Sequence, residues 1–317
     1  MNRPLRLLGL AAGIAILAWL VAQTDVAALL GVFPRIGWGF VAILAARAAT
    51  VAVDAAAWYC LLPRAGRPGF ATVLRLRWIA ESINTTLPAA QIGGDVVRAR
   101  LLQRRVAEPA RGAASVAIDF GLSLFAQILF TLLGFVLLAR LSAAANWWPV
   151  VLSAALVPAF AVLSWELLVR RRLLATAART AERLGQRRLA AALQGLGAAL
   201  GLLASSRTAL AMSLALHVTS FLAHAGELWL TLYLMGVATG PAEATLLESL
   251  SLAVRSAAFL IPSGWGAQEA SLIALAALTG LSGETALALG LVKRAREFAI
   301  GLPGLAAWAL VEHRARG

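Results

Sequence analysis

Two acidic residues follow a proline and a glycine-containing turn inside strongly hydrophobic sequence, and this pattern occurs twice. The first copy is LPAAQIGGD at 87–95, and the second is IPSGWGAQE at 261–269. In both copies the acid comes seven residues after the proline. Proline and glycine interrupt helices, and a carboxylate is costly inside a bilayer. Helix breaks at matching places in two halves of a membrane protein are typical of transporter binding sites.

The turns could bind an anion through backbone donors. A helix that begins at Gly94 or Gly266 leaves its first N–H groups without intrahelical partners, and its dipole is positive there. A phosphate or carboxylate can accept these hydrogen bonds, and glycine lets it approach the backbone closely. Asp95 and Glu269 fall in the first helical turn, where each either caps its own helix or contacts substrate or a proton. The predicted substrate-binding residues are Gly93, Gly94, Asp95, Arg98, Arg255, Pro262, Gly264, Gly266, Gln268 and Glu269.

Further ionisable residues lie in hydrophobic segments, where charges usually pair and face the interior of a helix bundle. Arg47 and Asp54 share one helix face, and so do Lys293 and Glu297. For both pairs we favour a structural ion pair over a coupling role. Arg255 is a stronger functional candidate than these pairs, because it precedes the second motif and could bind an anionic headgroup. The residues with a possible coupling or ion-pair role are Glu81, Arg47, Asp54, Lys293, Arg294 and Glu297.

His217, His224 and Glu227 also share a helix face. A polar stripe inside the bundle is favoured over a proton relay, and a metal site is the least favoured interpretation because one helix supplies too few ligands. The Cys and His spacing is not typical of a zinc or iron–sulfur site. We therefore predict no metal and no cofactor.

The composition indicates an integral membrane protein, since 61% of the 317 residues are hydrophobic and 14% are charged. Apolar stretches of about 20 residues or more, enough to cross a bilayer, lie at 5–23, 36–62, 112–139, 148–169, 208–236 and 285–310. Shorter, interrupted apolar segments at 70–104 and 243–280 contain the two motifs. We predict a single all-α transmembrane domain over 1–317, with about six transmembrane helices and two broken or re-entrant helix pairs.

The net charge of +13 is unevenly distributed. If the N-terminus is cytoplasmic, most arginines fall on the cytoplasmic side, near both termini and in 64–77, 98–111 and the basic loop 170–207. Arg35 and Arg140 then fall outside. This distribution follows the positive-inside rule and predicts a protein of the bacterial inner membrane with both termini in the cytoplasm. The positive charge would face anionic lipid headgroups, so the predicted partners are membrane lipids and not nucleic acid.

The orientation also relates the two motif regions. Three predicted spans separate them, so the second region enters the membrane from the side opposite to the first. We predict that the two regions belong to inverted repeats, which place a transporter's site between them at the midplane. The alternative is that the two breaks are unrelated proline and glycine kinks.

Three stretches carry a resemblance to a known family. The sequence NTTLPAAQIGGDVVRARLL at 84–102 resembles the first signature of the flippase-like membrane family, which includes the transmembrane region of lysylphosphatidylglycerol synthases. The sequence RSAAFLIPSGWGAQE at 255–269 is similar to its second signature. The continuation through 293–297 and 301–304 is most similar to the hopanoid-biosynthesis-associated branch (HpnL).

The resemblance implies a lipid flippase or transporter that moves an amphipathic lipid, a hopanoid or an anionic lipid, between leaflets. About seven residues follow the last predicted span, so there is no room for an aminoacyl-transferase domain there. We therefore expect no lysyl transfer and no enzymatic activity.

Two other functions compete with transport. A membrane-embedded lipid-modifying enzyme would need a nucleophile, an acid–base pair or a metal cluster, and the sequence contains neither an Asp-Asp-x-x-Asp cluster nor a His-rich box. A non-catalytic subunit could dock lipid-biosynthesis enzymes through the basic loop 170–207. Deletion of that loop separates the last possibility from transport.

Overall fold

A computed structural model describes most of the chain, and every regular element within the described residues is an α-helix. The all-α prediction is therefore confirmed for this part. The described residues are 36–64, 66–87, 93–141, 172–257 and 267–314. The predicted spans at 5–23 and 148–169 lie outside them, as do Pro262, Gly264 and Gly266.

The helices are numbered in chain order over the described residues. They are α1 (Gly39–Leu61), α2 (Phe70–Thr86), α3 (Gly93–Gln103), α4 (Pro109–Leu141), α5 (Arg172–Arg183), α6 (Arg187–Ala204), α7 (Arg207–Leu234), α8 (Pro241–Ala257), α9 (Ala267–Thr279) and α10 (Gly283–Arg314).

Three of these helices, α1, α4 and α7, are long and apolar enough to cross a membrane. They coincide with the spans predicted at 36–62, 112–139 and 208–236. The surface of α4 exposes large apolar side chains, among them Leu129, Leu133 and Val136. An apolar outer surface of this kind suits contact with lipid. The predicted span at 285–310 is also helical, within the 32-residue α10.

Each motif separates two helices that are too short to span a bilayer alone. The first motif lies between α2 and α3, of 17 and 11 residues, and the second between α8 and α9, of 17 and 13 residues. A span needs roughly 20 residues. The predicted interruption is confirmed at the first motif, because α2 ends at Thr86 and Leu87 has extended backbone. At the second motif, residues 258–266 lie outside the described residues, so the interruption there stays a prediction.

The helices form two sets with the same pattern of contacts, which we call the first half (α1–α4) and the second half (α7–α10). In the first half, α2 packs on α10 and α3 packs on α4; in the second half, α8 packs on α4 and α9 packs on α10. Likewise α1 packs on α2 as α7 packs on α8, and α1 packs extensively on α7. Each broken helix pair thus contacts both α4 and α10.

Each half also contains its own apolar cluster. The first cluster joins α1 to α4 and includes Trp58, Leu76 and Leu101. The second joins α7 to α10 and includes Leu232 and Leu247. Burial of these side chains holds each half together.

Small residues let the broken pairs approach the long helices closely. A Cβ added at Gly301 would collide with Thr86 of α2, and one added at Gly134 would collide with Ser249 of α8. Small residues are common where membrane helices pack tightly. The α2–α10 and α8–α4 contacts therefore resemble each other in chemistry as well as in position.

The basic segment 170–207 is not a loop within its described residues but a helical hairpin. Gly185, with φ of 74°, joins α5 and α6, which pack on each other, and α6 also packs on α4. Arg179, Arg183 and Arg187 are exposed on this hairpin. The sequence analysis treated 170–207 as a basic loop, and the exposed arginines agree with its basic character.

Candidate functional site

A cavity of about 330 Å³ lies inside the bundle, with walls from both halves. Residues of α1 to α4 and of α7, α8 and α10 line it. Buried charges are costly in a membrane bundle unless they are paired, and they usually mark a functional site. The charged lining residues are Arg47, Asp54, Arg77, Glu81, Asp95, Arg98, Glu248, Arg255, Lys293 and Arg296.

The beginning of α3 is fixed by a side chain of α2. The Gly94 N–H donates to Asn84 Oδ1 over 2.8 Å, and Asn84 Nδ2 donates to Asp95 Oδ2 over 3.2 Å. Sequence reasoning assigned the Gly94 N–H to substrate, but the structure shows that Asn84 occupies this donor. A Cβ at position 94 would collide with the backbone of Ala80. The glycine therefore serves the close contact between α2 and α3.

Arg98 is enclosed by partners on three sides, and none of its side chain is exposed. Its guanidinium lies 2.8 Å from Asp95 and 2.7 Å from Asp119, and it stacks on the Trp58 ring at 4.7 Å. The charge distribution predicted that Arg98 lies at the cytoplasmic surface with the other arginines of 98–111. The structure instead buries it, because two carboxylates from α3 and α4 need a cation between them.

The predicted pair between Arg47 and Asp54 does not form. Arg47 pairs with Glu81 and hydrogen-bonds His224, whereas Asp54 accepts a 3.0 Å hydrogen bond from Arg77. Residues seven apart are separated by about 10 Å along a helix axis. Neighbouring helices therefore offer closer partners than the same helix does.

The predicted pair between Lys293 and Glu297 is also wrong. Lys293 Nζ donates to Glu248 of α8 over 2.5 Å, and Glu297 accepts from Arg255 of α8 over 2.7 Å. In both contacts, one partner lies on α8 and the other on the facing helix α10. The facing helices bring these charged groups closer together than one turn of α10 brings Lys293 and Glu297.

Glu297 is shared by several guanidiniums. Besides Arg255, it lies 3.9 Å from both Arg294 and Arg296. Arg296 also pairs with Glu227 of α7. This arrangement gives Glu297 other cationic neighbours if Arg255 turns away.

The predicted polar stripe on α7 lies inside the bundle, as expected. His217 is fully buried, with Nε2 3.0 Å from Asp119 Oδ1 and Nδ1 3.7 Å from Asp54 Oδ1. His224 lines the cavity beside Arg47. Over the described residues, no three side chains of the ligating types are grouped as a metal would need.

This geometry can be set beside known proteins. Residues 6–304 match the lysylphosphatidylglycerol synthase TM region family. The chain belongs to this family. Membership assigns the protein to the membrane and connects it with membrane lipids, and the match includes both motifs and the cavity residues. No curated protein and no solved structure matches the chain.

The structure describes the second motif only from residue 267 onward. Gln268 and Glu269 lie in the first turn of α9, but their side chains fall outside the description. Arg255, on the preceding helix, lines the cavity. Its neighbours Arg294 and Glu297 are nearly buried and complete this side of the site.

Several cavity residues escaped sequence reasoning. Arg77 was assigned to the cytoplasmic surface, yet it pairs with Asp54 inside the bundle. Glu248 and Arg296 were not singled out, although Glu248 lies seven residues before Arg255 and Arg296 lies next to Glu297. Charge inside an amphipathic or apolar helix was the available signal. It was overlooked for Arg77 because arginines nearby supported a surface position.

Proposed function

We propose that this protein moves an amphipathic lipid, a hopanoid or an anionic lipid, between leaflets of the bacterial inner membrane. The observation that carries the proposal is the charged cavity inside the bundle of a membrane-lipid protein. A polar headgroup cannot cross about 30 Å of hydrocarbon without compensating interactions. The cavity would supply them while the tail stays in the bilayer.

Arg255 is the residue we assign to the headgroup. It lines the cavity and stands directly before the second motif. When Arg255 turns toward an anionic group, Glu297 keeps Arg294 and Arg296 as neighbours at 3.9 Å. The carboxylate is therefore not left alone, and the exchange of partners costs little. A charge-assisted bond from a guanidinium is a strong way to hold a phosphate or carboxylate.

We further propose that the two halves are inverted repeats that rock against each other. The exchange of helix contacts between α1–α4 and α7–α10 supports this view. In transporters of that design, a site between the repeats opens to each side in turn. Asp95 and Glu269 would orient the groups at the two turns. The mechanism contains no bond-making step, so we assign no catalytic residue, and both termini would face the cytoplasm.

The test is the leaflet distribution of fluorescent lipids in proteoliposomes that contain the purified full chain. A hopanoid analogue and an anionic phospholipid serve as probes. We expect accelerated flipping of one of them, reduced at least about tenfold in Arg255→Ala, since a lost charged contact is worth roughly 1.4 kcal/mol or more. The matched control is Arg207→Ala, which removes an exposed arginine at the start of α7. If the unmodified protein moves neither probe, the transport proposal fails.

A second candidate function is the docking of lipid-biosynthesis enzymes. It is favoured by the α5–α6 hairpin, which stands outside the contact pattern shared by the halves and exposes Arg179, Arg183 and Arg187. Replacing these three arginines with glutamine distinguishes the two functions. Transport should continue in the variant, whereas a docking subunit should lose its enzyme partner.

A further inference from the structure

Two histidines of α7 link the two halves, His224 at the cavity wall and His217 buried behind Asp54. The buried arginine and lysine ion pairs described above each join residues of one half. By contrast, His217 and His224 of α7 contact Asp119, Asp54 and Arg47 of the first half. A titratable contact between moving parts can change their relative stability when a proton binds or leaves.

The geometry around His217 favours a doubly protonated ring. A neutral imidazole has one N–H and one lone pair. If Nε2 donates to Asp119, the Nδ1 lone pair of a neutral ring would face Asp54 Oδ1 at 3.7 Å, which is repulsive. A proton on Nδ1 turns this contact into an attraction. Both carboxylates then face a cationic ring in addition to their arginine partners.

Charge balance around His217 points the same way. The nearest charged groups are the carboxylates of Asp54, Asp95 and Asp119 and the guanidiniums of Arg77 and Arg98. When His217 is neutral, this group carries one more negative charge than positive charges. An imbalance of one charge is costly at low dielectric. Protonated His217 removes it.

Other charged groups lie on α7 or face it from the helices packed on it, and their shortest contacts are with one another. They pair as Arg47 with Glu81, Lys293 with Glu248, and Arg296 with Glu227, while His224 contacts Arg47. Glu81 also lies 3.8 Å from Arg77, a longer contact than its pair with Arg47. These pairs are balanced without a proton from His217. The protonation of His217 therefore depends chiefly on Asp54 and Asp119.

We propose that His217 is a proton-binding site that couples movement of the lipid to a proton gradient. The inference rests on the proposed transport function. Asp54 lines the cavity and also faces His217, so a headgroup that changes the pairing of Asp54 changes how firmly the ring holds its proton. The protonated ring holds α7 to α1 and α4, and its deprotonation weakens that contact. Coupling of this kind is reciprocal, so proton binding also changes the affinity for the headgroup.

The first experiment uses proteoliposomes with a pH difference of about one unit across the membrane and a fluorescent anionic phospholipid. If one proton accompanies each lipid, a tenfold proton ratio allows up to about tenfold enrichment of the probe in one leaflet. We expect this enrichment with the unmodified protein, and its loss when an ionophore collapses the gradient. His217→Gln should still flip the probe but distribute it equally. His313→Gln, at an exposed site near the end of α10, should keep the enrichment.

Each other outcome has a distinct meaning. Equal distribution by an unmodified protein that flips the probe overturns the coupling and leaves transport intact. Enrichment that persists in His217→Gln also overturns the role of His217. If the unmodified protein flips no lipid, the transport function fails and the coupling fails with it.

A second measurement does not depend on the folding of His217→Gln. The chain has three histidines, so ¹⁵N-histidine labelling gives three pairs of ring-nitrogen signals. His224→Gln and His313→Gln identify two of them, and the third belongs to His217. We expect an imidazolium signal at pH 7 that converts to the neutral form when the pH is raised. The conversion should need a higher pH when the anionic probe lipid is present, because added negative charge near Asp54 stabilises the protonated ring. A ring that is neutral at pH 7, or one whose conversion the lipid does not move, overturns the proposal.

Discussion

The two halves share a frame but differ in charge. Both have an apolar cluster and the same helix contacts. Positions in the two halves can be matched by the number of residues that separates Pro88 from Pro262. At this offset, Glu81 of the first half matches Arg255 of the second, and Asp119 matches Lys293. Packing is thus repeated in the two halves, while the charge at matched positions is reversed.

The two halves also hold one arginine each in different ways. In the first half, none of the Arg98 side chain is exposed, and its guanidinium lies 2.7 Å from the buried Asp119. In the second half, Arg255 is 12% exposed and shares Glu297 with other guanidiniums. We infer that Arg98 is the more firmly held cation and that Arg255 is the exchangeable one.

The largest expected effect comes from removing the enclosed cation. Arg98→Ala leaves Asp95 and Asp119 without their guanidinium, and breaking a buried pair typically costs about 3–5 kcal/mol. We expect a value at the upper end, seen as a large fall in the thermal unfolding midpoint of the detergent-solubilised protein. Arg255→Ala, which removes a less enclosed arginine of the second half, should lower it far less. Equal losses would contradict the difference in how firmly the two arginines are held.

An intermediate effect is expected at the contact between α8 and α10. Lys293→Ala should destabilise the protein by about 3 kcal/mol, because it strands the buried Glu248. Exchange of the two residues, Lys293→Glu with Glu248→Lys, should recover most of the unfolding midpoint. If the exchanged protein is no more stable than Lys293→Ala, the pair depends on further neighbours and is not an isolated ion pair. In that respect it would resemble Arg98 of the first half, which two carboxylates share.

The smallest effect concerns backbone contact at the first motif. Gly94→Ala forces a Cβ against Ala80, and overpacking of this kind costs about 1–3 kcal/mol. Gly121→Ala is the control, because that helical glycine of α4 has open space around it and alanine is the better helix former. The corresponding position in the second half is Gln268. Similar unfolding midpoints for Gly94→Ala and Gly121→Ala would contradict the tight contact between α2 and α3 at Gly94.

Much of the fold was predictable because hydrophobic length and helix-breaking residues act locally. The helices at 36–62, 112–139 and 208–236 and the break at the first motif follow from these signals. The site was predictable only in part. Asp54, Glu81, Asp95 and Arg255 were recognised as charges in apolar sequence, and the cavity brings them together.

The sequence by itself determined that this is a helical membrane protein with interior charges, because exposing those charges to lipid is too costly. Tertiary structure decided which charge meets which. Arg47 meets Glu81 and not Asp54, and Lys293 meets Glu248 and not Glu297. The physical reason is that ion pairs require contact within a few ångströms, and only the packing of separate helices sets those distances.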